Sequence, residues 1–92
     1  MKTKNIFLLG ATGSIGTQVL DVVRSLNNIR VLSMAFGKNI KLGEKLIAEF
    51  KPEYVSTLDF DDMNYLKSLF PEISFGYGEE GLVKAATYSD SP

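Results

Sequence analysis

Residues Ile6, Phe7, Leu8 and Leu9 form an unbroken apolar run that leads straight into Gly10-Ala11-Thr12-Gly13-Ser14-Ile15-Gly16. A short continuous apolar run is what a strand of a parallel sheet needs, because both of its faces are covered. Helical periodicity begins at Ser14, immediately after the glycine turn. Strand, glycine turn and helix in that order confine the chain to α/β architectures. They also set an anion-binding helix terminus at the end of the first strand.

The same alternation continues. Residues 14–26 read as a helix with Ile15, Val19, Val22, Val23 and Leu26 on one stripe, and Asn27-Asn28 supply a left-handed stop. Residues 29–36 read as a second strand. Gly37-Lys38-Asn39 is a turn whose Asn39 N-caps a helix reaching Lys51, with Leu42, Leu46, Ile47 and Phe50 inward. Gly43 weakens that helix and Pro52 ends it. Residues 54–58 form a third strand. A third helix opens at Asp59 or Asp61, with Tyr65, Leu66 and Leu69 inward, and Pro71 follows it. Residues 73–77 form a short fourth strand and 79–86 a last helix. Met34, Phe36, Phe50 and Phe70 belong to the core.

The fold class is therefore α/β: a Rossmann-like open parallel sheet, doubly wound, with about four strands and four helices and right-handed crossovers. The fourth strand is short and has little apolar surface around it. Two placements are open to it: beside strand 1, as in the usual order of such sheets, or on the strand-3 edge, which leaves strand 1 uncovered on one side and makes the chain a truncated half-sheet. An open apolar edge invites pairing with another chain, and self-association through strand 1 to give a homo-oligomer is expected.

Composition removes several function classes. The 92 residues fit one small domain, and the net charge of −1 offers no basic face for nucleic acid. No cysteine or histidine is present, which excludes disulfides, thiolate catalysis and imidazole ligands. The acids are scattered apart from Asp59, Asp61, Asp62 and Glu79-Glu80, and those clusters read as helix starts. No apolar stretch reaches membrane-spanning length and no signal peptide fits, so a cytoplasmic chain with no membrane partner is expected.

The turn reads Gly-x-x-Gly-x-x-Gly, a variant of the dinucleotide fingerprint. Gly10 permits the sharp turn, Gly13 lets backbone approach a pyrophosphate, and Gly16 lets the helix pack close to the sheet. Thr12 and Ser14 add hydroxyls. A NAD-preferring site places an acid after strand 2 to hold the ribose hydroxyls, but no Asp or Glu lies between Asp21 and Glu44. Lys38 and Asn39 stand there instead, and an ammonium with an amide suits the 2′-phosphate of NADP(H). A solvated turn lysine is the competing interpretation of Lys38.

The run from Gly10 to Arg24, Ala35-Phe36-Gly37-Lys38-Asn39, and the segment from Phe50 to Val55 resemble the 1-deoxy-D-xylulose 5-phosphate reductoisomerase family. The likeness extends over essentially the whole chain. It implies an oxidoreductase of non-mevalonate isoprenoid biosynthesis that rearranges 1-deoxy-D-xylulose 5-phosphate. The resulting aldehyde is reduced with NADPH to 2-C-methyl-D-erythritol 4-phosphate. It further implies a magnesium or manganese ion, a small-molecule substrate and inhibition by fosmidomycin. Thr12, Gly13, Ser14 and Ile15 match the family's cofactor-phosphate loop, and Gly37, Lys38 and Asn39 its 2′-phosphate segment. Family enzymes are much longer. The resemblance makes 1–92 the N-terminal part of the NADPH-binding domain, without the catalytic and C-terminal domains. No catalytic residue or metal ligand is expected here, and the chain alone is expected to be inactive. Short-chain and semialdehyde dehydrogenases share the Gly-Ala-Thr-Gly start and are the enzymatic alternative. A non-catalytic nucleotide-binding module is the other.

Overall fold

A computed structural model describes residues 3–88. The element order is β1 (Lys4–Leu9), α1 (Ser14–Ser25), β2 (Ile29–Ala35), α2 (Ile40–Phe50), β3 (Tyr54–Thr57), α3 (Phe60–Leu69), β4 (Ser74–Tyr77) and α4 (Gly78–Ala86). The four strands form one parallel sheet in the order β1-β2-β3-β4. Strand β4 thus takes the second of the two placements, on the β3 edge, and among the described residues β1 pairs on one side only. The expected Rossmann-like α/β class is what the structure has.

Neighbouring side chains along a strand point to opposite faces, and the core divides accordingly. One cluster joins Leu8, Val31, Met34 and Val55 of the strands to Leu20 and Val23 of α1, Leu46 and Ile47 of α2, and Leu66 of α3. The other joins Ala35 and Tyr54 to Ala85 of α4. Helices α1 to α3 therefore cover one face and α4 crosses the other. The Ser33 hydroxyl fixes that crossing by donating to the Ala85 carbonyl at 2.5 Å.

A bulge sets the register of β2. Pairing passes from Ile6–Val31 to Phe7–Ser33, so Leu32 has no partner in β1. The extra residue brings Val31 and Met34 into the same cluster, which strict alternation would forbid.

Several inward-facing assignments are corrected. Helix α1 buries Gly16, Leu20 and Val23, whereas Ile15, Val22 and Leu26 are exposed. The cause is Gly16: a Cβ there would stand 2.1 Å from the Gly10 carbonyl oxygen. That contact fixes the rotation of the helix and turns positions 20 and 23 inward with it. The sequence stripe is real, but it lies about 100° around the helix from the sheet-facing one. Helix α3 buries Leu66, while Tyr65 and Leu69 are exposed. Tyr65 instead donates its hydroxyl to Glu44 at 2.8 Å. Asn27-Asn28 is not a left-handed stop, because α1 ends at an extended Leu26. The left-handed residue is Lys51 (φ 49°), directly before Pro52. Gly43 has a packing reason, since a Cβ would stand 2.3 Å from the Phe36 ring.

Candidate functional site

The C-terminal ends of β1, β2 and β3 lie side by side, and the turns that follow them form the site. Gly10 has φ +76°, which a glycine adopts without strain. Its N–H and that of Ala11 both donate to the Ala35 carbonyl, at 2.8 and 3.0 Å. The glycine turn is thereby tied to the end of β2. Within the turn, the Gly13 N–H donates to the Gly10 carbonyl at 3.0 Å.

Gly13 is the N-cap of α1, and no side chain caps the helix. Its first turn carries no acid. The first-turn N–H groups of a helix have no acceptor within it, so this terminus keeps its donors and its positive dipole end for an external anion. Thr17 does not compete, because its hydroxyl donates to the Ser14 carbonyl at 3.0 Å. Ser14 and Ile15 are exposed and Thr12 is half-buried.

Beside this turn, Gly37-Lys38-Asn39 follows β2. Asn39 caps α2 by accepting from the Leu42 N–H at 3.3 Å. Its oxygen is used, and its amide N–H groups remain as donors. Lys38 is 70 % exposed, and its ammonium meets Asp59 Oδ2 at 2.5 Å. The hydrogen bond to Asp59 raises the pKa of Lys38 above its ordinary value. The same bond is the main reason the Asp59 carboxyl lies below the usual carboxylate range.

A cleft of about 360 Å³ opens between these strand ends and α4. Gly10, Phe36, Gly37, Thr57, Leu58 and Leu82 are among its lining residues. Ser56 also lines it, and the Ser56 hydroxyl is buried with no hydrogen-bond partner. Of the sequence-derived site residues, Gly37 lines this cleft. Thr12 to Ile15 continue from Gly10 at one end, and Lys38 and Asn39 continue from Gly37 at another. The apolar slot is thus flanked by an uncapped helix terminus on one side and a lysine turn on another, two groups that attract anions.

Asp59 stands beside Lys38 although in the sequence its cluster reads as a helix start. It is one: its carboxylate caps α3 by accepting from the Asp62 N–H at 3.0 Å. Strand order carried the missing signal. With β2 beside β3 and both parallel, the residues that follow their ends must meet.

The family model described as 1-deoxy-D-xylulose 5-phosphate reductoisomerase matches residues 6–92. The chain belongs to this family. Among similar reductoisomerases, that of Bacillus subtilis is 47% identical over 90 residues, covering 95% of this chain and 24% of the relative. That of Agathobacter rectalis is 44% identical over 86 residues, covering 91% and 23%. The chain therefore spans about a quarter of the length of the curated reductoisomerases it matches. Among solved structures, the Zymomonas mobilis reductoisomerase in complex with NADPH superposes with a TM-score of 0.84 at 28% identity, covering 95% of this chain and 24% of that one. A DOX-P reductoisomerase in complex with magnesium gives 0.85 at 26% identity, covering 96% and 23%. Among the described residues of this chain, no group of three or more acidic side chains is gathered to hold a metal. No helix among them is long and apolar enough to cross a membrane.

Proposed function

We propose that this chain forms the N-terminal part of the NADPH-binding domain of an enzyme that isomerises and reduces 1-deoxy-D-xylulose 5-phosphate to 2-C-methyl-D-erythritol 4-phosphate. One observation carries the cofactor assignment: an uncapped, acid-free helix terminus stands on the strand next to the one that presents Lys38. In this reading the backbone N–H groups of Gly13, Ser14 and Ile15 hold the pyrophosphate, helped by the hydroxyls of Thr12 and Ser14. Gly37 gives the adenosine ribose an open backbone. Lys38 and the Asn39 amide hold the 2′-phosphate. NADPH supplies hydride for the reduction, and this chain's residues bind and orient its adenosine half.

No residue here is assigned to catalysis or to the magnesium or manganese ion of the full reaction. The 92 residues alone are therefore proposed to bind nucleotide without turning over substrate. We also assign the chain to the cytoplasm, with a small-molecule substrate and no nucleic-acid partner. Association through the single-sided β1 edge, where Phe7 and Leu9 are exposed, is the proposed oligomer contact. Light scattering that gives a monomer mass at every concentration would remove that contact.

The cofactor assignment is tested by calorimetry with NADPH and NADH. Lys38→Glu is expected to weaken NADPH by more than about tenfold and NADH far less, because a charge-assisted phosphate bond becomes a like-charge contact. Equal losses for both nucleotides would make Lys38 a turn lysine.

A further inference from the structure

Lys38 and Asp59 are unequal partners. Asp59 is held from several sides: its Oδ1 accepts from the Asp62 N–H at 3.0 Å, and its carbonyl accepts from the Thr57 hydroxyl at 2.8 Å. The Met63 N–H reaches the same carbonyl at 3.2 Å. Lys38 sits on an exposed turn at the end of a flexible four-carbon stem. Its ammonium meets Asp59 Oδ2 at 2.5 Å, and Asp62 Oδ2 lies 3.9 Å away. The carboxylate is fixed and the ammonium can move.

We propose that Asp59 is an ionic latch that holds the Lys38 ammonium until a 2′-phosphate takes it, and so sets how strongly the site prefers a 2′-phosphorylated nucleotide. This rests on the assignment of Lys38 to the 2′-phosphate. Two carboxylates, Asp59 and Asp62, lie within 4 Å of the Lys38 ammonium before any ligand arrives. A phosphate monoester brings close to two further negative charges at neutral pH. Lys38 turns to it, because a charge-assisted phosphate bond outweighs an exposed ion pair. The Asp59 carboxylate cannot follow and is left unpaired near the phosphate. The latch thus lowers affinity for a 2′-phosphorylated nucleotide and leaves one without that phosphate unaffected.

The capping role permits a clean variant. Asp59→Asn keeps the side-chain oxygen that accepts from Asp62 and removes the charge; Asp59→Ser is a second neutral cap. Calorimetry on the full chain compares adenosine 2′,5′-bisphosphate with 5′-AMP. Both variants are expected to bind the bisphosphate about two- to fivefold more tightly, the range released by one exposed ion pair, with 5′-AMP unchanged. The gain is expected to shrink when Lys38 is methionine, since no cation is then left to release. Unchanged or weaker bisphosphate binding, an equal gain for 5′-AMP, or a gain undiminished without Lys38 would each overturn the latch. Lys38→Met alone separates the two levels. If it weakens the bisphosphate selectively while Asp59→Asn has no effect, only the latch falls. If it leaves the bisphosphate unaffected, the phosphate assignment falls with it.

Discussion

Strands β1 and β3 flank β2 and hand over to helices in the same sense at one end of the sheet, but their turns are built from opposite chemistry. After β1 the N-cap is Gly13, with no side-chain cap and no acid in the first turn of α1. After β3 the N-cap is Asp59, its carboxylate bonded to the Asp62 N–H, with Asp61 and Asp62 in the first turn of α3. Helix α3 satisfies its own dipole from within, and α1 leaves its dipole open. Helix α2 stands between them, with the neutral oxygen of Asn39 as its cap. A helix terminus can be finished for stability or kept open for a ligand, and this chain does both within one sheet.

The largest effect should come from making the β1 turn sterically ordinary. Gly16→Val places carbon against the Gly10 carbonyl oxygen, where even a Cβ would stand at 2.1 Å. Backbone must move, so a loss of at least about 3 kcal/mol is expected in urea unfolding, the upper end for overpacked sites. A loss below about 1 kcal/mol would show that the contact does not set the rotation of α1.

The second test makes α1 resemble α3. Gly13 has φ −78°, a value open to any residue, so Gly13→Asp can cap the helix. The melting temperature is expected to hold or rise slightly while NADPH affinity falls more than about a hundredfold, because a fixed carboxylate then occupies the anion position. Retained affinity would break the comparison outright.

The reverse change makes α3 resemble α1. Asp59→Ala removes the cap and is expected to lower the melting temperature by about 5 °C. No change would mean that the cap is ornamental.

The smallest effect lies outside both turns and serves as a control. Glu49 is held below its ordinary 4.5, first by the hydrogen bond from Arg24. A depressed carboxyl stabilises the fold fully above its unfolded pKa and loses that contribution as pH falls through the lower folded value. Glu49→Gln should therefore be slightly less stable than the parent chain at neutral pH, and the gap should close below about pH 4. Nucleotide affinity should not change.

The eight elements were legible from the alternation of strand and helix patterns, and for α2 and α3 also from local marks, the caps Asn39 and Asp59 and the stop at Pro52. The glycine turn and the turn at Gly37-Lys38-Asn39 were legible because phosphate chemistry demands particular residue types at particular strand ends. Other features were not, beyond the α3 face and the end of α1 already described. The inward face of α1 depends on a contact between Gly16 and Gly10 that periodicity cannot see, and so Ile15 and Val22 look as buried as Val23. The bulge at Leu32 has no local marker among uniformly apolar neighbours. The Lys38–Asp59 pair joins residues 21 apart in sequence, and only the strand order brings them together.

Sheet order also has a consequence in time. Each strand pairs with the strand made immediately before it, from β1 through β4. A chain emerging from the ribosome can therefore add each unit to a finished neighbour, and none has to wait unpaired for a distant partner. Helix α4 comes last and lies across strands already laid down, where Ser33 and Ala85 lock it at a separation of 52 residues. Its docking follows the strand pairings that make the sheet, and by the same logic its release is expected before the sheet itself is lost.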